Sequence, residues 1–186
     1  MFARTERLTL RPGWAEDAPQ LARAAGHEAI ACNTCHMPWP YALGDAEAFL
    51  RAPQDVRAPA LLVFAHEGPD IRLVGSVGIR PGDGGPAELG YWITPDAWGR
   101  GYATEAARAV LAMADMLRIP ELTARHFVDN PASGRVLRKL GFRESGEQAL
   151  SYSRGRGGEV PAVHYTRRRA ARPDLPDIRD APPLAA

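Results

Sequence analysis

The chain has 186 residues, of which 45% are hydrophobic and 24% charged, enough for one well-packed domain and too little for two. Its 23 basic and 22 acidic residues nearly cancel, so the net charge of +1 creates no field that would collect nucleic acid or an anionic membrane. We expect neither as a partner. The first residues alternate charged and apolar side chains without an apolar signal core, which predicts a cytoplasmic protein with two reduced cysteines.

Hydrophobic periodicity predicts a single mixed α/β domain over residues 1–169. Four segments have helical character: 14–26, 45–50, 102–118 and 131–140. Seven have the pattern of strands: 7–11, 60–66, 71–80, 88–94, 122–128, 142–152 and 160–167. Strands that alternate with helices in the second half predict parallel crossovers, hence a mixed sheet of six to seven strands flanked by about four helices. Residues 170–186, rich in proline and alanine, are predicted to be a disordered tail.

Two glycines, Gly99 and Gly101, stand directly before the helix that begins at Tyr102. A helix N-terminus presents unpaired N–H groups and a partial positive charge, and anions bind there readily. Because glycine has no side chain, a phosphate could approach these amides closely. Arg100 and Thr104 could add a charge and a hydroxyl. The turn therefore predicts a phosphate or pyrophosphate site.

Two common phosphate-binding motifs do not fit this turn. A nucleotide P-loop requires a G-K-[ST] ending, and a dinucleotide fingerprint from Gly99 meets Thr104 at its last position, after a meander in place of a βαβ unit. The acyl-coenzyme A turn, Q/R-x-x-G-x-G/A, fits from Trp98 to Ala103, except that Trp98 replaces Gln or Arg. An ordinary glycine turn without a ligand is the alternative.

Residues 88–106, ELGYWITPDAWGRGYATEA, resemble the central motif of the GNAT superfamily of acyl-CoA-dependent N-acetyltransferases. Residues 129–142, DNPASGRVLRKLGF, are similar to the family's N-x-x-S…K-L-G-F segment. The opening TERLTLRP and the loop MPWPY are similar to the branch that acetylates ribosomal-protein N-termini, including the alanine acetyltransferases. The resemblance covers about residues 4–168.

The resemblance implies the GNAT fold, in which the parallel strands 88–94 and 122–128 splay apart. Pantetheine would lie in that cleft against exposed strand backbone, and the pyrophosphate would reach the amides of the glycine turn. Acetyl-CoA is then the co-substrate, and no metal is expected. The residues assigned to the cofactor are Tyr91, Trp92, Ile93, Trp98, Gly99, Arg100, Gly101, Tyr102, Ala103, Thr104, Asn130 and Ser133.

Glu88 and Ser133 are the catalytic candidates. An amine attacks a thioester only when neutral, so a base is useful, and Glu88 is the sole carboxylate on its strand face, at a position where relatives place their base. The alternative is a solvated charge. Ser133 would lie near the sulfur and protonate the leaving thiolate, although Tyr152, Tyr165 or solvent could serve. Asn130 precedes Pro131 and fits a helix N-cap as well as a cofactor ligand.

The acceptor is expected to be a primary amine, either a protein N-terminus or a small molecule, bound to a monomer or homodimer. The candidates for its site are Met37, Trp39, Tyr41 and His126. A lone histidine on a strand has a structural role as its alternative. An inactive acyl-CoA-binding module stays open as a second class of function.

The segment Cys32 to His36 matches C-x-x-C-H, the attachment signature of c-type haem. Such attachment requires export, and a zinc site would lack a second C-x-x-C to complete its ligands. We therefore interpret the motif as a chance occurrence that borders the acceptor site, with a haem or redox protein as the third alternative.

Overall fold

In a computed structural model, the structure describes residues 1–53, 55–68, 70–82 and 84–169. The predicted tail, 170–186, lies outside the described residues. Within these ranges, eight strands form one sheet. They are β1 (Ala3–Arg4), β2 (Leu8–Arg11), β3 (Ala60–Glu67), β4 (Asp70–Arg80), β5 (Ala87–Ile93), β6 (Glu121–Phe127), β7 (Arg143–Ser153) and β8 (Gly158–Arg168).

The strand order is β1-β2-β3-β4-β5-β6-β8-β7, and every neighbouring pair is antiparallel except β5 and β6. Over the same described residues there are five α-helices: α1 (Ala18–Ala25), α2 (Glu28–Ala31), α3 (Leu43–Arg51), α4 (Tyr102–Met116) and α5 (Pro131–Lys139). This architecture confirms the predicted mixed sheet.

The helices cover both faces of the sheet because strand side chains alternate between them. On one face, Leu89 and Ile93 of β5 share a buried cluster with Val110 of α4 and Leu137 of α5. On the other, α1 and α3 pack on Leu62, Phe64 and Leu73 of β3 and β4. The two faces of β5 therefore pack against different helical layers, with Leu89 and Ile93 against α4 and α5, and Trp92 against the layer of α1 and α3.

The parallel strands β5 and β6 are paired over only two positions. Ala87 lies opposite Leu122 and Glu88 opposite Thr123, after which the two strands separate. β6 instead pairs along its whole length with β8 on its other side. A gap consequently opens in the middle of the sheet beyond Glu88, as the resemblance predicted.

Three elements differ from the predictions. The two-residue β1, which pairs with Thr9 and Leu10, makes eight strands in place of six or seven. The four-residue α2 lies in a segment expected to be a loop, because one helical turn is too short to show a period. α3 begins at Leu43, two residues before the helical segment predicted from residue 45, and Asp45 accepts the N–H of Ala42 from the third helical position.

Candidate active site

Two cavities flank the gap between β5 and β6, one on each face of the sheet. The cavity on the α4 and α5 side, here called the turn cavity, has a volume of about 540 Å³ and is lined by the glycine turn. The cavity on the α1 and α3 side, here called the loop cavity, has a volume of about 440 Å³ and is lined by parts of segment 33–49. The residues that line both are Asn33, Thr34, Tyr91, Trp92 and Ser133. Two ligands that enter from opposite faces would therefore meet at these residues.

The glycine turn presents backbone amides to the turn cavity. Gly99 has φ +77° and Gly101 has φ +82°, left-handed conformations that disfavour any residue with a Cβ. The first closed helical bond runs from the N–H of Glu105 to the carbonyl of Gly101, so the amides of residues 102–104 have no intrahelical acceptor. The predicted residues that line this cavity are Tyr91, Trp92, Ile93, Trp98, Gly99, Gly101, Tyr102, Ala103, Thr104, Asn130 and Ser133.

Arg100 is the exception among the predicted cofactor residues. Its guanidinium lies 2.7 Å from Glu67 Oε1 and does not line the turn cavity. The nearby carboxylate thus engages the side chain, and the contribution of Arg100 to the phosphate site stays a prediction. Cations absent from the prediction, Arg135 and Lys139 of α5, line the cavity instead.

The turn is supported from behind by residues that the sequence analysis missed. The carboxylate of Glu105 accepts hydrogen bonds from the Thr5 hydroxyl at 2.6 Å, the Arg7 N–H at 3.0 Å and the Arg7 guanidinium at 2.6 and 2.8 Å. Arg7 also donates to the Arg100 carbonyl at 2.9 Å and lies over the Tyr102 ring. We call Thr5, Arg7 and Glu105 the brace. It fixes the start of α4 to the edge of β2.

Tyr91 and Ser133 connect the two sides of the gap. The Tyr91 hydroxyl lies 2.8 Å from Ser133 Oγ, and the Asn130 side chain accepts the Ser133 N–H at 3.3 Å as an N-cap. Burial raises the pKa of Tyr91 to about 12, so its hydroxyl keeps its proton at neutral pH. The pair forms a continuous hydroxyl chain where the cavities meet.

Glu88 lies at the last paired position before the gap, with its carboxylate in the loop cavity. Arg125 donates to both of its oxygens, at 2.7 and 3.0 Å, and Arg80 donates to Oε2 at 3.0 Å. Burial raises the pKa of Glu88, but the hydrogen bond and charge of Arg125, together with Arg80, outweigh it and hold the pKa below its usual value. Its role as a proton acceptor stays a prediction, and a carboxylate of low pKa is a weak base.

His126 is not placed at the acceptor site. Its side chain is buried under α5, where a Cβ on Gly134 would lie 2.5 Å from Nε2, and it contacts the Tyr165 hydroxyl at 3.3 Å. His126 lines neither cavity, which corrects its predicted placement. Because β6 side chains alternate, Arg125 faces the loop cavity instead.

Two of the predicted acceptor residues, Met37 and Tyr41, line the loop cavity. Trp39 does not: its side chain is 41% exposed, since it lies between two prolines on the outside of the loop. The sequence analysis missed several lining residues that carry charge or apolar bulk. They are Phe49, Arg80, Arg125 and Arg154.

Cys32 and Cys35 are both free thiols. Cys35 lines the loop cavity, and burial raises the pKa of its thiol, which disfavours the reactive thiolate. Cys32 contributes its carbonyl, which accepts a hydrogen bond from Arg156 at 2.6 Å. Across the described part of the chain, no three His, Cys, Asp or Glu side chains come together as a metal site. No helix there is long and apolar enough to cross a membrane.

The chain belongs to the GNAT acetyltransferase family. The family pattern described as an acetyltransferase (GNAT) domain matches residues 7–143, well over half of the sequence. Among solved structures, an acetyltransferase (GNAT family) from Bacillus anthracis superposes with a TM-score of 0.76 at 20% identity, covering 91% of this chain and 99% of the other.

Two further solved structures share the fold. The microcin C7 self immunity acetyltransferase MccE, in complex with acetyl-CoA and AMP, has a TM-score of 0.71 at 20% identity, with 88% of this chain and 93% of that chain covered. The ribosomal-protein-S5-alanine acetyltransferase from Vibrio fischeri has a TM-score of 0.73 at 16% identity, with 91% and 97% covered. At such identities the likeness establishes the fold alone.

Two curated relatives match shorter stretches. The uncharacterized N-acetyltransferase YoaA of Bacillus subtilis is 39% identical over 61 residues, which is 32% of this chain and 34% of YoaA. The uncharacterized N-acetyltransferase C18E5.08 of Schizosaccharomyces pombe is 32% identical over 87 residues, 46% of this chain and 47% of the relative. The matched segments thus span between a third and a half of these relatives.

Proposed function

We propose that this protein is a cytoplasmic N-acetyltransferase that moves an acetyl group from acetyl-CoA to a primary amine while both are bound. The observation that carries the proposal is the meeting of two cavities, on opposite faces of the sheet, at Tyr91 and Ser133. Such an arrangement suits direct attack within a ternary complex, because each ligand has its own entrance and the reacting atoms share one opening.

The turn cavity suits acetyl-CoA. Its free amides at residues 102–104 would bind the pyrophosphate, and Arg135 and Lys139 would add positive charge for the remaining phosphate. Beyond Glu88, β5 no longer pairs with β6, and its backbone groups on that edge would form hydrogen bonds with the amide groups of pantetheine. Bound acetyl-CoA supplies the thioester carbonyl that the amine attacks.

Tyr91 and Ser133 would deliver the proton that the reaction requires on the sulfur side. Ser133 Oγ donates its proton where the carbon–sulfur bond breaks, and the Tyr91 hydroxyl replaces that proton across their 2.8 Å contact. Tyr91 then regains a proton from solvent, which restores both hydroxyls. Glu88 would stay ionised and accept a hydrogen bond from the attacking amine or from a water molecule beside it. The amine proton then leaves through that water as the carbon–nitrogen bond forms.

The proposal is tested by calorimetric titration of the purified protein with acetyl-CoA, followed by an assay of thiol release with amines. We expect micromolar binding by the wild type and none by Gly101→Glu, which places a carboxylate at the amides. Gly44→Glu is the matched control, since Gly44 lies exposed in α3 with open space around its Cα. Failure of the wild type to bind acetyl-CoA would overturn the proposed function.

An inactive acyl-CoA-binding module is the second candidate, favoured by one observation. Two arginines already neutralise Glu88, as in a structural ion pair. A module of this kind would bind acetyl-CoA yet release no thiol with any amine.

The acceptor of an active enzyme could also be the N-terminus of a ribosomal protein, which the similarity of the opening segment supports. Acetylation of an N-terminal peptide in the same thiol assay tests this.

A further inference from the structure

We propose, on the basis of the proposed function, that the acceptor is a small anionic amine: a primary amine with an apolar body that also carries a carboxylate or phosphate group. The loop cavity combines an excess of guanidinium groups with an apolar wall. That combination would bind an anion and a hydrophobic group on the same molecule.

The charges that line the loop cavity favour an anion. Among the described residues that line the cavity, Arg80, Arg125 and Arg154 face two carboxylates, Glu88 and Asp45. Both carboxylates are already engaged, since Glu88 is paired with two of the arginines and Asp45 accepts the N–H of Ala42. His36, also in the lining, contributes an attractive field to Glu88 and adds no negative charge. A polycationic amine would meet net repulsion here.

Arg154 is held at the mouth of this cavity by its backbone. Its N–H donates to the Cys35 carbonyl at 2.9 Å, and a Cβ on the next residue, Gly155, would lie 2.6 Å from the Ala31 backbone. The turn between β7 and β8 is thus packed directly against α2. Arg154 itself is exposed, so a fixed main chain presents a guanidinium to solvent at the entrance.

Arg80 occupies the opposite wall. Arg80 is the cross-strand partner of Glu88 and donates a hydrogen bond from Nη2 to Glu88 Oε2 at 3.0 Å. The Arg80 side chain is 44% exposed. A guanidinium carries five N–H donors in a planar fork that suits carboxylate and phosphate oxygens. Arg80 can therefore hold Glu88 and a ligand anion together.

The remainder of the loop cavity is apolar. Leu21, Met37, Tyr41, Phe49 and Trp92 contribute side chains to the lining. Burial raises the pKa of Tyr41 to about 12, so this side chain adds no charge at neutral pH. A volume of about 440 Å³ accommodates an aromatic or large aliphatic group beside the anion.

The same arginines would assist the chemistry. Positive charge near a bound ammonium favours its neutral form and so lowers its pKa, which increases the fraction of amine able to attack. A weakly basic Glu88 is then sufficient as a hydrogen-bond acceptor. The cation excess explains both the choice of acceptor and its activation.

The test is calorimetric binding of matched amines to the protein loaded with CoA, which prevents turnover. The pairs are phenylalanine against phenethylamine, and glycyl-phenylalanine against glycyl-phenethylamide; the aminophosphonate analogue of phenylalanine separates phosphate from carboxylate recognition. We expect at least one amine with an anionic group to bind tenfold or more tightly than the partner that lacks this group. Arg154→Gln should lose most of that preference, and Arg108→Gln, an exposed site on α4, should retain it.

The inference is overturned if the CoA-loaded protein binds no amine that carries an anionic group, or binds the partners that lack this group equally well. It is also overturned if the preference survives in both Arg154→Gln and Arg80→Gln while their CoA affinity and melting temperature match the wild type. A protein that binds no acetyl-CoA fails at the preceding step, so the two failures are distinguishable. Tighter binding of the phosphonate would assign a phosphate group, and tighter binding of phenylalanine a carboxylate.

Discussion

The hydroxyl pair of Tyr91 and Ser133 has a protonation state set by its surroundings. Desolvation raises the pKa of Tyr91 to about 12, although its hydrogen bond with Ser133 partly opposes this. Tyrosine is neutral below its pKa, so the hydroxyl can donate throughout the neutral range. Neither residue needs an ionised partner to pass a proton to a thiolate leaving group.

Replacement of either member of this pair should therefore slow turnover while acetyl-CoA still binds. We expect Tyr91→Phe and Ser133→Ala each to lower kcat by about 10- to 100-fold, within the range of general acid catalysis. The double variant should be little worse than the slower single variant, because the two hydroxyls act as one chain. Tyr152→Phe, at an exposed tyrosine, is the matched control. Independent, multiplicative losses would contradict the relay.

Glu88 leads to a different expectation for the pH profile. Its pKa is lowered from about 4.5, so Glu88 is ionised throughout the neutral range and does not titrate there. We expect Glu88→Gln to lower kcat/KM without moving the acidic limb, which the amine itself would determine. The measurement is kcat/KM between pH 6 and 9, with melting temperature as the control for the loss of the carboxylate that pairs with Arg80 and Arg125. Disappearance of the limb would show that Glu88 is the titrating base.

At the scale of elements, the start of α4 depends on the brace. Glu105 lies on the first turn of α4, and its carboxylate reaches back to Thr5 and Arg7 beside β2. Two residues with positive φ leave the turn few local restraints, so a support distant in sequence holds its amides in place. The brace would pre-organise the turn for a phosphate.

Removal of the brace should weaken cofactor binding from a distance. We expect Arg7→Met to raise the Kd for acetyl-CoA about five- to tenfold, equivalent to roughly 1 kcal/mol. Arg7 does not line the turn cavity, so the loss would come from positioning. Arg4→Met, at an exposed arginine of β1, is the control, and calorimetry is the measurement. An unchanged Kd in a folded Arg7→Met protein would contradict this role.

At the scale of the whole molecule, ion pairs connect separate elements of the fold. Arg11 and Asp17 join β2 to the segment before α1 through two hydrogen bonds of 2.7 and 2.8 Å. Arg156 joins the β7 and β8 turn to Asp129 at 2.7 and 3.0 Å. The first of these pairs is largely buried, so its charges are weakly screened by solvent.

Acid should therefore destabilise the fold through specific carboxylates. The hydrogen bond from Arg11 lowers the pKa of Asp17, and a group with a lowered folded pKa stabilises the protein above its unfolded value. That contribution is lost as pH falls from about 4 through the folded pKa. We expect Asp17→Asn to lower the urea midpoint at pH 7 and to flatten its decline between pH 5 and 2.5. Exposed Asp70→Asn should alter neither, and an unchanged decline in Asp17→Asn would refute the assignment.

Sequence reasoning located what local chemistry determines. The glycine turn, the Asn130 cap and the alternation along β5 follow from neighbouring residues, and the structure contains each of them. The partners Thr5 and Arg7 of Glu105 and the partner Arg125 of Glu88 could not be found this way, because they lie 37 to 100 positions away. Alternation shows that neighbouring residues of β6 point to opposite faces, but not which face meets α5, so the sequence prediction names His126 and misses Arg125.

The gap between β5 and β6 divides the molecule into compartments that can change independently. Residues of segment 35–49 and Arg154 of the β7 and β8 turn line only the loop cavity, whereas the first turn of α4 and the glycine turn line only the turn cavity. If the residues that line only the loop cavity were exchanged for those of a relative, the protein would still bind the nucleotide part of acetyl-CoA but would acetylate a different acceptor. Because the loop cavity can change in sequence while the turn cavity is retained, one fold can evolve specificity for many acceptors.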